Sequence, residues 1–232
     1  FSALGRLQLK IPTLDQQSEL LAKAKAIRDL ISGREQQLDK LDQLVKSRFV
    51  EMFGRDPCLN EKRFPLFKMG DVVLFQGGSQ PDKRYFEYEP TKDNVRLIQI
   101  RDYRTDRYKT YIPKTMAKRH CTKDDIMIGR YGPPIFQIFK GLEGAFNVAM
   151  MKATPKMGER EFVRAFLKQD CLLRYLESFS KRTAGQDGIQ MDKLKAYPFP
   201  LPPLSLQREF AAFVAEVDKS EFAVRKRLEK AR

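Results

Sequence analysis

Histidine and cysteine, the residues most often used for metal binding and nucleophilic catalysis, are scarce in this chain. Its 232 residues include 1 histidine and 3 cysteines. A single histidine excludes two-histidine metal sites, and the neighbouring Arg119 favours an exposed or phosphate-facing role for His120. The cysteines are far apart in the sequence and form no Cys-x-x-Cys pair. We interpret Cys58, Cys121 and Cys171 as reduced thiols of a cytoplasmic protein.

Long apolar runs are also missing. The longest is the six-residue segment 210–215, whereas a membrane-spanning helix needs about 20 apolar residues. The sequence therefore predicts no membrane span, and the absence of a basic leader before an apolar block predicts no secretory signal. The first residue is Phe1 rather than methionine, from which we expect a fragment of a longer protein.

Motifs for catalysis are absent as well. The glycine clusters lack the spacing and the lysine of nucleotide-binding loops. The Asn-Pro-Pro-aromatic motif with which adenine methyltransferases hold a flipped base does not occur. The carboxylates of 124–125 and 159–161 would fit a metal nuclease only if the fold joined them, and such residues are common on surfaces. We predict no catalytic residues, no metal site and no cofactor.

Positive charge is abundant. Lysine and arginine number 44 against 30 aspartates and glutamates, for a net charge of +14. Segment 57–200 holds 27 of the basic and 17 of the acidic residues, so +10 of the +14 belongs to it. Such a surplus attracts polyanions, among which nucleic acid is the commonest inside cells. The alternative is a charge that serves solubility alone.

Two segments carry the four-three apolar spacing of a coiled coil. The first is 14–53, and the second runs from residue 204 to 232. Two such helices at opposite ends of a chain can pair antiparallel, although a homodimeric coiled coil would use the same residues. The predicted helix–helix interface comprises Leu20, Ile27, Ile31, Leu38, Leu41 and Val45 on the first helix and Phe210, Val214, Val217, Val224 and Leu228 on the second.

A short internal repeat precedes each of these helices. Segment 11–20 aligns with segment 201–210 at an offset of 190 residues, with proline, leucine, glutamine and glutamate identical at matching places. Because each copy lies at the start of a long helix, we interpret the repeat as shared ancestry. The chain then reads as the tail of one globular unit, a helix, a complete globular unit and a second helix.

The region between the helices has mixed patterns. Apolar runs bounded by glycine and polar residues predict strands at 72–75, 95–100, 125–129 and 145–150. Helical spacing of apolar residues predicts a helix over 159–180, and 185–188 reads as a loop. The fold class is therefore α+β, with one globular domain flanked by two long helices that pair as an antiparallel coiled coil.

The densest basic segment, 96–119, is interleaved with tyrosines. Arginine reads guanine in the major groove, lysine neutralises phosphate and tyrosine packs on sugars or bases, so we predict DNA contact here. A solvated hairpin with surface ion pairs is the alternative. Three polar loops at 79–84, 130–131 and 180–186 could converge on the same face. The predicted DNA-binding residues are Ser79, Gln80, Lys83, Arg84, Arg101, Tyr103, Arg104, Arg107, Lys109, Lys114, Arg130, Tyr131, Lys181, Arg182 and Gln186.

Several motifs resemble those of a known family. The run 47–57, followed by Asn60 and 70–72, is similar to the junction between a conserved helix and a target recognition domain. The glycine turn at 77–81 resembles a turn early in such domains. The segment 125–132 resembles their central strand. Pro200-Leu201-Pro202-Pro203-Leu204 with Gln207 resembles the entry into their distal helix. On these motifs the chain resembles the specificity subunit of type I restriction-modification systems.

The resemblance implies one complete target recognition domain at 56–203, between conserved helices at 13–55 and 204–232, with 1–12 ending a preceding domain. It implies a sequence-specific subunit that binds double-stranded DNA and directs a partner adenine methyltransferase (modification) subunit and a restriction subunit to the site. The chain would be the second half of such a subunit, or a half-length subunit that dimerises through its coiled coil. A sequence-nonspecific nucleic-acid-binding module and a coiled-coil assembly scaffold are the alternatives. Family base contacts do not transfer between recognition domains, so Arg101, Arg104 or Gln80 as base readers rests on chemistry alone.

Overall fold

The periodic segments at the two ends form the two longest helices of a mixed fold. The computed structural model describes residues 12–56, 59–132, 134–180 and 188–229. The helices are α1 (Leu14–Phe53), α2 (Met69–Val72), α3 (Arg160–Leu167), α4 (Asp170–Ser180), α5 (Met191–Ala196) and α6 (Leu204–Glu229). The strands are β1 (Leu66–Lys68), β2 (Val73–Gly77), β3 (Asn94–Ile98), β4 (Tyr111–Pro113), β5 (His120–Cys121), β6 (Ile126–Gly129), β7 (Gln137–Lys140), β8 (Gly144–Phe146), β9 (Met150–Pro155) and β10 (Pro198–Pro200). Short 3-10 helices span Lys83–Tyr85, Ile100–Tyr103 and Lys114–Met116.

The described residues fall into two compact units. One joins residues 12–45 of the first helix region to residues 215–229 of the last, and the other comprises residues 46–214. None of the helices within the described ranges is long and apolar enough to cross a membrane. Residues 1–11, which make up most of the segment 1–12 predicted to end a preceding domain, and residues 230–232 lie outside the described residues.

In the first unit the predicted four-three spacing coincides with burial. On α1 the half-buried residues include Ile31, Arg34, Leu38, Leu41 and Val45. On α6 Val217 and Leu228 are buried, and Glu221 and Val224 are half-buried. These positions recur every three or four residues, as they must when one stripe of a helix faces a neighbour. The spacing therefore predicted which side of each helix is covered.

The predicted helix–helix interface is wrong at the N-terminal end of α1. Leu20 and Ile27 are 57% and 51% exposed. The reason is length: α1 has 40 residues and α6 has 26, so at about 1.5 Å per residue α6 is roughly 20 Å shorter. The first turns of α1 therefore continue beyond any helix in the described part of the chain.

In the second unit the two helices meet in a cluster of phenylalanines. Phe49 and Phe53 lie 5.5 Å from the ring of Phe210 between centroids, and both also contact Phe162. Arg48 forms an ion pair with Glu209 at 2.7 Å. The last turns of α1 thus meet the first turns of α6, as they must when the two helices run antiparallel. Phe49, Phe53, Phe162 and Phe210 are fully buried and hold residues 46–53 and 204–214 of the two helices within this unit.

The described residues of this unit also form two four-stranded sheets and a two-stranded pair. The first sheet has the order β2-β9-β6-β7 and is antiparallel throughout. The second has the order β4-β3-β8-β5, in which β3 and β8 run parallel. Strands β1 and β10 pair near the helix ends. Ile98, Met127, Phe146 and Met150 fill the core that the two sheets share.

Several predicted elements have different bounds. The strand predicted at 72–75 begins only at Val73, because Val72 ends α2. The strand predicted at 95–100 ends at Ile98, because Asp102 caps the 3-10 helix by accepting the amide of Gln99 at 2.7 Å. The predicted strand at 145–150 is two strands separated by a turn at residues 147–149.

The helix predicted over 159–180 is also divided, into α3 and α4. The side-chain amide of Gln169 donates to the carbonyl of Ala165 at 2.9 Å. In a continuous helix that carbonyl would accept the backbone amide of Gln169, which here bonds to Phe166 instead. The short strands β1, β4, β5, β7 and β10 lack a clear alternating pattern, and the sequence did not predict them.

The interpretation of three reduced thiols is wrong for one cysteine. Cys171 on α4 is disulfide-bonded. Cys121 is a free, buried thiol whose Sγ donates to the carbonyl of Leu142 at 3.1 Å. Burial raises the pKa of Cys121 to about 11, so this thiol stays protonated at neutral pH. Cys58 lies outside the described residues.

Candidate nucleic-acid interface

Strands of both sheets end at one common edge of the second unit. Gly129, the last residue of β6, pairs with Met150 of β9 and with Gln137 of β7. Gly77 at the end of β2 pairs with Met151, and Ile98 at the end of β3 pairs with Phe146. The segments 77–80, 99–104, 130–132 with 134–137, and 147–149 therefore emerge together. We call these four segments the arginine edge, after Arg101, Arg104 and Arg130.

The turn at residues 147–149 joins the segments of this edge. The amide of Asn147 donates to the carbonyl of Ile98 at 3.0 Å, and the amide of Arg130 donates to the carbonyl of Ala149 at 2.9 Å. The amide of Ser79 donates to the carbonyl of Phe146 at 3.1 Å. Both sheets and the loop after β2 are thus held to one short turn, which gives the edge a defined backbone.

Glycine is required at position 78. A Cβ added there would lie 2.0 Å from the backbone oxygen of Asn147 and 2.7 Å from that of Phe146. Real side chains do not approach backbone atoms so closely. The glycine turn that the sequence singled out therefore has a packing role, since it lets the loop after β2 contact the turn at 147–149.

The arginines of this edge are not neutralised by carboxylates. Arg101 donates to Thr110 Oγ1 at 2.8 Å, Arg104 lies 3.5 Å from Gln137 Oε1, and Arg130 donates to the carbonyl of Val148 at 3.3 Å. None of the three forms an ion pair with any residue in the described ranges. Their positive charge therefore remains available to a ligand.

The only carboxylate in these four segments is Asp102, and it is already bound. Its side chain is 1% exposed and accepts Arg96 Nη2 at 2.7 Å. Asp106 binds the same Arg96 nitrogen at 2.9 Å and Lys109 at 3.6 Å. Burial lowers the pKa of Arg96, but the hydrogen bonds and charges of the two aspartates outweigh that effect and raise it. Part of the basic segment is thus used in internal ion pairs, Lys109 included.

Tyr103 is not at the surface of this edge in the way the sequence predicted. Its ring stacks on Phe139, with centroids 4.1 Å apart, and packs against the core shared by the sheets. Its hydroxyl is buried without a hydrogen-bond partner, and burial raises the pKa of the phenol. The interleaving of basic residues and tyrosines in 96–119 predicted a tyrosine at the binding surface, but this ring covers Phe139. Tyr103 therefore has to be removed from the predicted DNA-binding residues.

The remaining predicted residues lie at varying distances from the arginine edge. Ser79, Gln80 and Tyr131 belong to it, and Tyr131 pairs with Gly188. Lys83 and Arg84 follow on an exposed 3-10 turn that Asp82 caps. The exposed Arg107 lies over the ring of Tyr108, and both line a cavity of about 560 Å³ that Arg101 also lines.

Lys114 is not brought to the arginine edge. Its Nζ donates to the carbonyl of Lys92 at 2.5 Å, and its amide donates to the carbonyl of Asp93, next to the start of β3 and hence at the other end of that strand. Lys181, Arg182 and Gln186, predicted as a further DNA-binding loop, lie outside the described residues.

Sequence reasoning missed three residues of this edge, namely Gln137, Asn147 and Val148. Gln137 Nε2 donates to the carbonyl of Pro134 at 3.0 Å, which orients its Oε1 toward Arg104. Asn147 Oδ1 accepts the amide of Ala149 at 3.2 Å. Asparagine is depleted in strands and common in turns, and this signal, given more weight, would have divided the predicted strand at 145–150.

Comparison with known proteins identifies relatives of this architecture. A family described as the type I restriction modification DNA specificity domain matches residues 61–231. An S subunit of a type I restriction-modification system from M. genitalium is 14% identical, with a TM-score of 0.60 over 94% of this chain and 58% of that one. The HsdS subunit from Thermoanaerobacter tengcongensis is 19% identical, with a TM-score of 0.53 over 93% and 54%.

A third structure comes from work on complex assembly and conformational transition of the type I R-M system. It is 18% identical, with a TM-score of 0.59 over 95% of this chain and 56% of that one. The chain thus spans a little over half the length of these proteins, with which it shares the fold. No curated protein matches the chain. The family match covers most of the sequence, and this chain therefore belongs to the type I restriction modification DNA specificity domain family.

Proposed function

We propose that this chain is a non-catalytic, DNA-reading part of a cytoplasmic type I restriction-modification enzyme. It binds double-stranded DNA sequence-specifically and directs a partner adenine methyltransferase subunit and a restriction subunit to the recognition site. Residues 56–203 form the target recognition domain in this proposal, and residues 13–55 and 204–232 form the conserved helices. The protein carries no cofactor of its own.

The arginine edge is the observation that carries the proposal. Three arginines without carboxylate partners lie on two of the four segments that one turn holds together. Base edges in the major groove are read by arginine and by amide and hydroxyl groups, and Ser79, Gln80 and Gln137 supply such groups on the same segments. A surface of this composition favours discrimination between bases over charge attraction alone.

Among the predicted DNA-binding residues, phosphate contacts fall to Lys83, Arg84 and Arg107 rather than to Lys109 and Lys114. Lys109 is paired with Asp106, and Lys114 is bound to a backbone carbonyl. Lys83, Arg84 and Arg107 are exposed and form no ion pair with any residue in the described ranges. Contacts of this kind fix the register of a protein on DNA and supply affinity that does not depend on sequence.

Selection from a random duplex pool at fixed salt tests the recognition part of the proposal. We expect the chain to enrich one sequence and to bind it about a thousandfold or more tighter than a scrambled duplex. Equal binding of every duplex would favour a sequence-nonspecific module instead. Absence of binding at physiological salt would favour a coiled-coil scaffold whose charge serves solubility.

Two further measurements test the role within an enzyme complex. The purified chain with S-adenosylmethionine should transfer no methyl group to DNA, and methylation by the chain alone would contradict the proposal. Affinity purification from the native host should recover an adenine methyltransferase subunit. If no methyltransferase is recovered under conditions in which the chain binds DNA, the assignment to a methylating complex is wrong.

A further inference from the structure

Arg130 is the most firmly positioned arginine of the arginine edge. Its Nη1 donates to the carbonyl of Val148 at 3.3 Å, and its guanidinium lies 5.3 Å from the centre of the Tyr131 ring. Its Nε is buried without a partner. Gly77 lies beside the group, since a Cβ added there would be in ordinary contact with Nη1, at 3.7 Å. The inner part of the guanidinium is thus enclosed while its outer donors remain free.

Val148 lies beside this guanidinium at the tip of the turn. Val148 is 47% exposed, so part of its apolar surface is open to a ligand. The backbone beneath it is fixed, since Asn147, Ala149 and Arg130 all take part in the hydrogen bonds that join the segments of the edge. Because the carbonyl of Val148 accepts Arg130 Nη1, the two residues lie side by side at the tip of the turn.

We propose that Arg130 and Val148 form a two-residue reader for a guanine next to a thymine. This inference rests on the proposed function. Guanine presents N7 and O6 to the major groove, where the two ends of a guanidinium bind them together, and thymine presents a methyl group that suits an apolar contact. Successive bases on a strand are about 3.4 Å apart, which matches two adjacent groups of this size.

Arg101 and Arg104, predicted from sequence as guanine readers, are less suited to this role. Arg101 donates to Thr110, which is fully buried, so its guanidinium is drawn toward the domain. Arg104 is exposed and lies 3.5 Å from one amide oxygen. Holding a free arginine in one rotamer on binding costs side-chain entropy. Arg130 loses less side-chain entropy on binding, because its contacts with Val148 and Tyr131 already restrict its rotamers in the free protein.

The test uses the duplex that the wild-type chain enriches from a random pool. We expect that duplex to contain a guanine–thymine step. Replacing this guanine by 7-deazaguanine, or the thymine by deoxyuridine, removes the N7 acceptor or the methyl group respectively. Each should weaken wild-type binding, by at least about fivefold for 7-deazaguanine and by about threefold for deoxyuridine, relative to the same changes elsewhere in the site.

Variants assign these losses to the two residues. Arg130→Lys keeps the charge but lacks the fork, so it should bind the 7-deazaguanine and guanine duplexes equally while its affinity for scrambled duplex stays unchanged. Val148→Ala should no longer distinguish deoxyuridine from thymine. Arg160→Lys, at an arginine with an ion pair to Asp124, serves as the matched control and should retain both preferences. Thermal unfolding of each variant checks that the fold is kept.

The outcomes separate this inference from the proposed function. If the wild-type chain enriches no sequence, the proposed function fails and the inference fails with it. If it enriches a sequence without a guanine–thymine step, or if Arg130→Lys retains the preference for guanine over 7-deazaguanine, the inference alone is overturned.

Discussion

Both ends of the β6–β9 strand pair carry basic residues, but those at one end are paired with carboxylates and those at the other end are not. At the arginine edge, where β6 ends, three arginines have only neutral partners. At the opposite edge, which comprises residues 120–126, 140–141 and 153–160, Arg160 lies 3.8 Å from the carboxylate of Asp124. Lys152, which reaches toward that edge from β9, lies 3.5 Å from the carboxylate of Asp125.

This difference shows that pairing, not the number of cations, locates a surface for an anion. Exposed ion pairs contribute little to stability, but they cancel the charge that a polyanion would need. A cavity of about 640 Å³ at the opposite edge is lined by Arg160 and Arg208 together with Asp124 and Glu159, so its charges offset one another. The net charge of +14 describes the whole chain, whereas the arginine edge shows where that charge is available.

Removal of the buried Asp102 carboxylate should cause the largest loss of stability. Asp102→Ala should lower the free energy of unfolding by about 3–5 kcal/mol, because it leaves the half-buried Arg96 short of a partner and removes the acceptor of the Gln99 amide. Urea unfolding followed by circular dichroism measures this change.

Asp106→Ala is the matched control, since Asp106 pairs with the same Arg96 nitrogen but its side chain is 68% exposed. That variant should cost less than about 1 kcal/mol. Equal losses for the two variants would show that burial of Asp102 does not set the strength of this network.

Substitution of Gly78 in the glycine turn should cause the next largest loss of stability. Gly78→Ala should destabilise the domain by about 2–3 kcal/mol, because the new Cβ would meet the backbone oxygen of Asn147 at 2.0 Å. It should also weaken DNA binding, because the turn at 147–149 would have to move. Gly77→Ala places its Cβ in ordinary contact, 3.7 Å from Arg130, and should unfold at nearly the wild-type urea concentration. Similar losses for both alanines would contradict the close approach at Gly78.

The helices were predictable because their signal is periodic and local. Every position that is buried on α6 beyond Val214 lies on the four-three spacing read from the sequence. The exposure of Leu20 was not predictable, since it depends on how far the partner helix extends. The phenylalanine cluster at the helix ends joins residues more than 100 positions apart, and no local pattern indicates such a contact.

The arginine edge was predictable only in part, for the same reason. Chemistry alone singled out the glycine turn, Arg101, Arg104 and Arg130. The sequence could not show which cations are free of carboxylate partners. The pair of Lys109 and Asp106 is local, since the two residues are three positions apart. The pair of Arg96 and Asp102 depends instead on the 3-10 helix that contains Asp102. The turn at 147–149 was hidden within a run of apolar residues that resembles a strand, and so were Asn147 and Val148.

A carboxylate placed at the arginine edge should pair with an arginine there, as Asp124 pairs with Arg160 at the opposite edge. Gln137→Glu puts a negative charge where Arg104 lies 3.5 Å from the side-chain oxygen, and should cost about 1–2 kcal/mol of DNA-binding free energy. The matched control is Gln37→Glu on α1, where Arg34 also binds a glutamine oxygen, at 2.8 Å. The control should bind DNA as the wild type does in a fluorescence anisotropy titration. Equal weakening by both variants would assign the effect to net charge.

The converse change, at the opposite edge, should have the smallest effect and decides between the two explanations. Asp124→Asn removes the negative charge beside Arg160, whose guanidinium still donates to the backbone carbonyl of residue 124 at 2.9 Å. If net charge governed binding, this variant would tighten DNA binding about as much as Gln137→Glu weakens it. If the free arginines at one edge govern it, DNA affinity should stay within about twofold of wild type, because charges beyond about 8 Å are screened at physiological salt. The free energy of unfolding should change by less than about 0.5 kcal/mol, since both groups are largely exposed. A clear gain in affinity for Asp124→Asn at 0.15 M salt would extend the DNA-binding surface to the opposite edge.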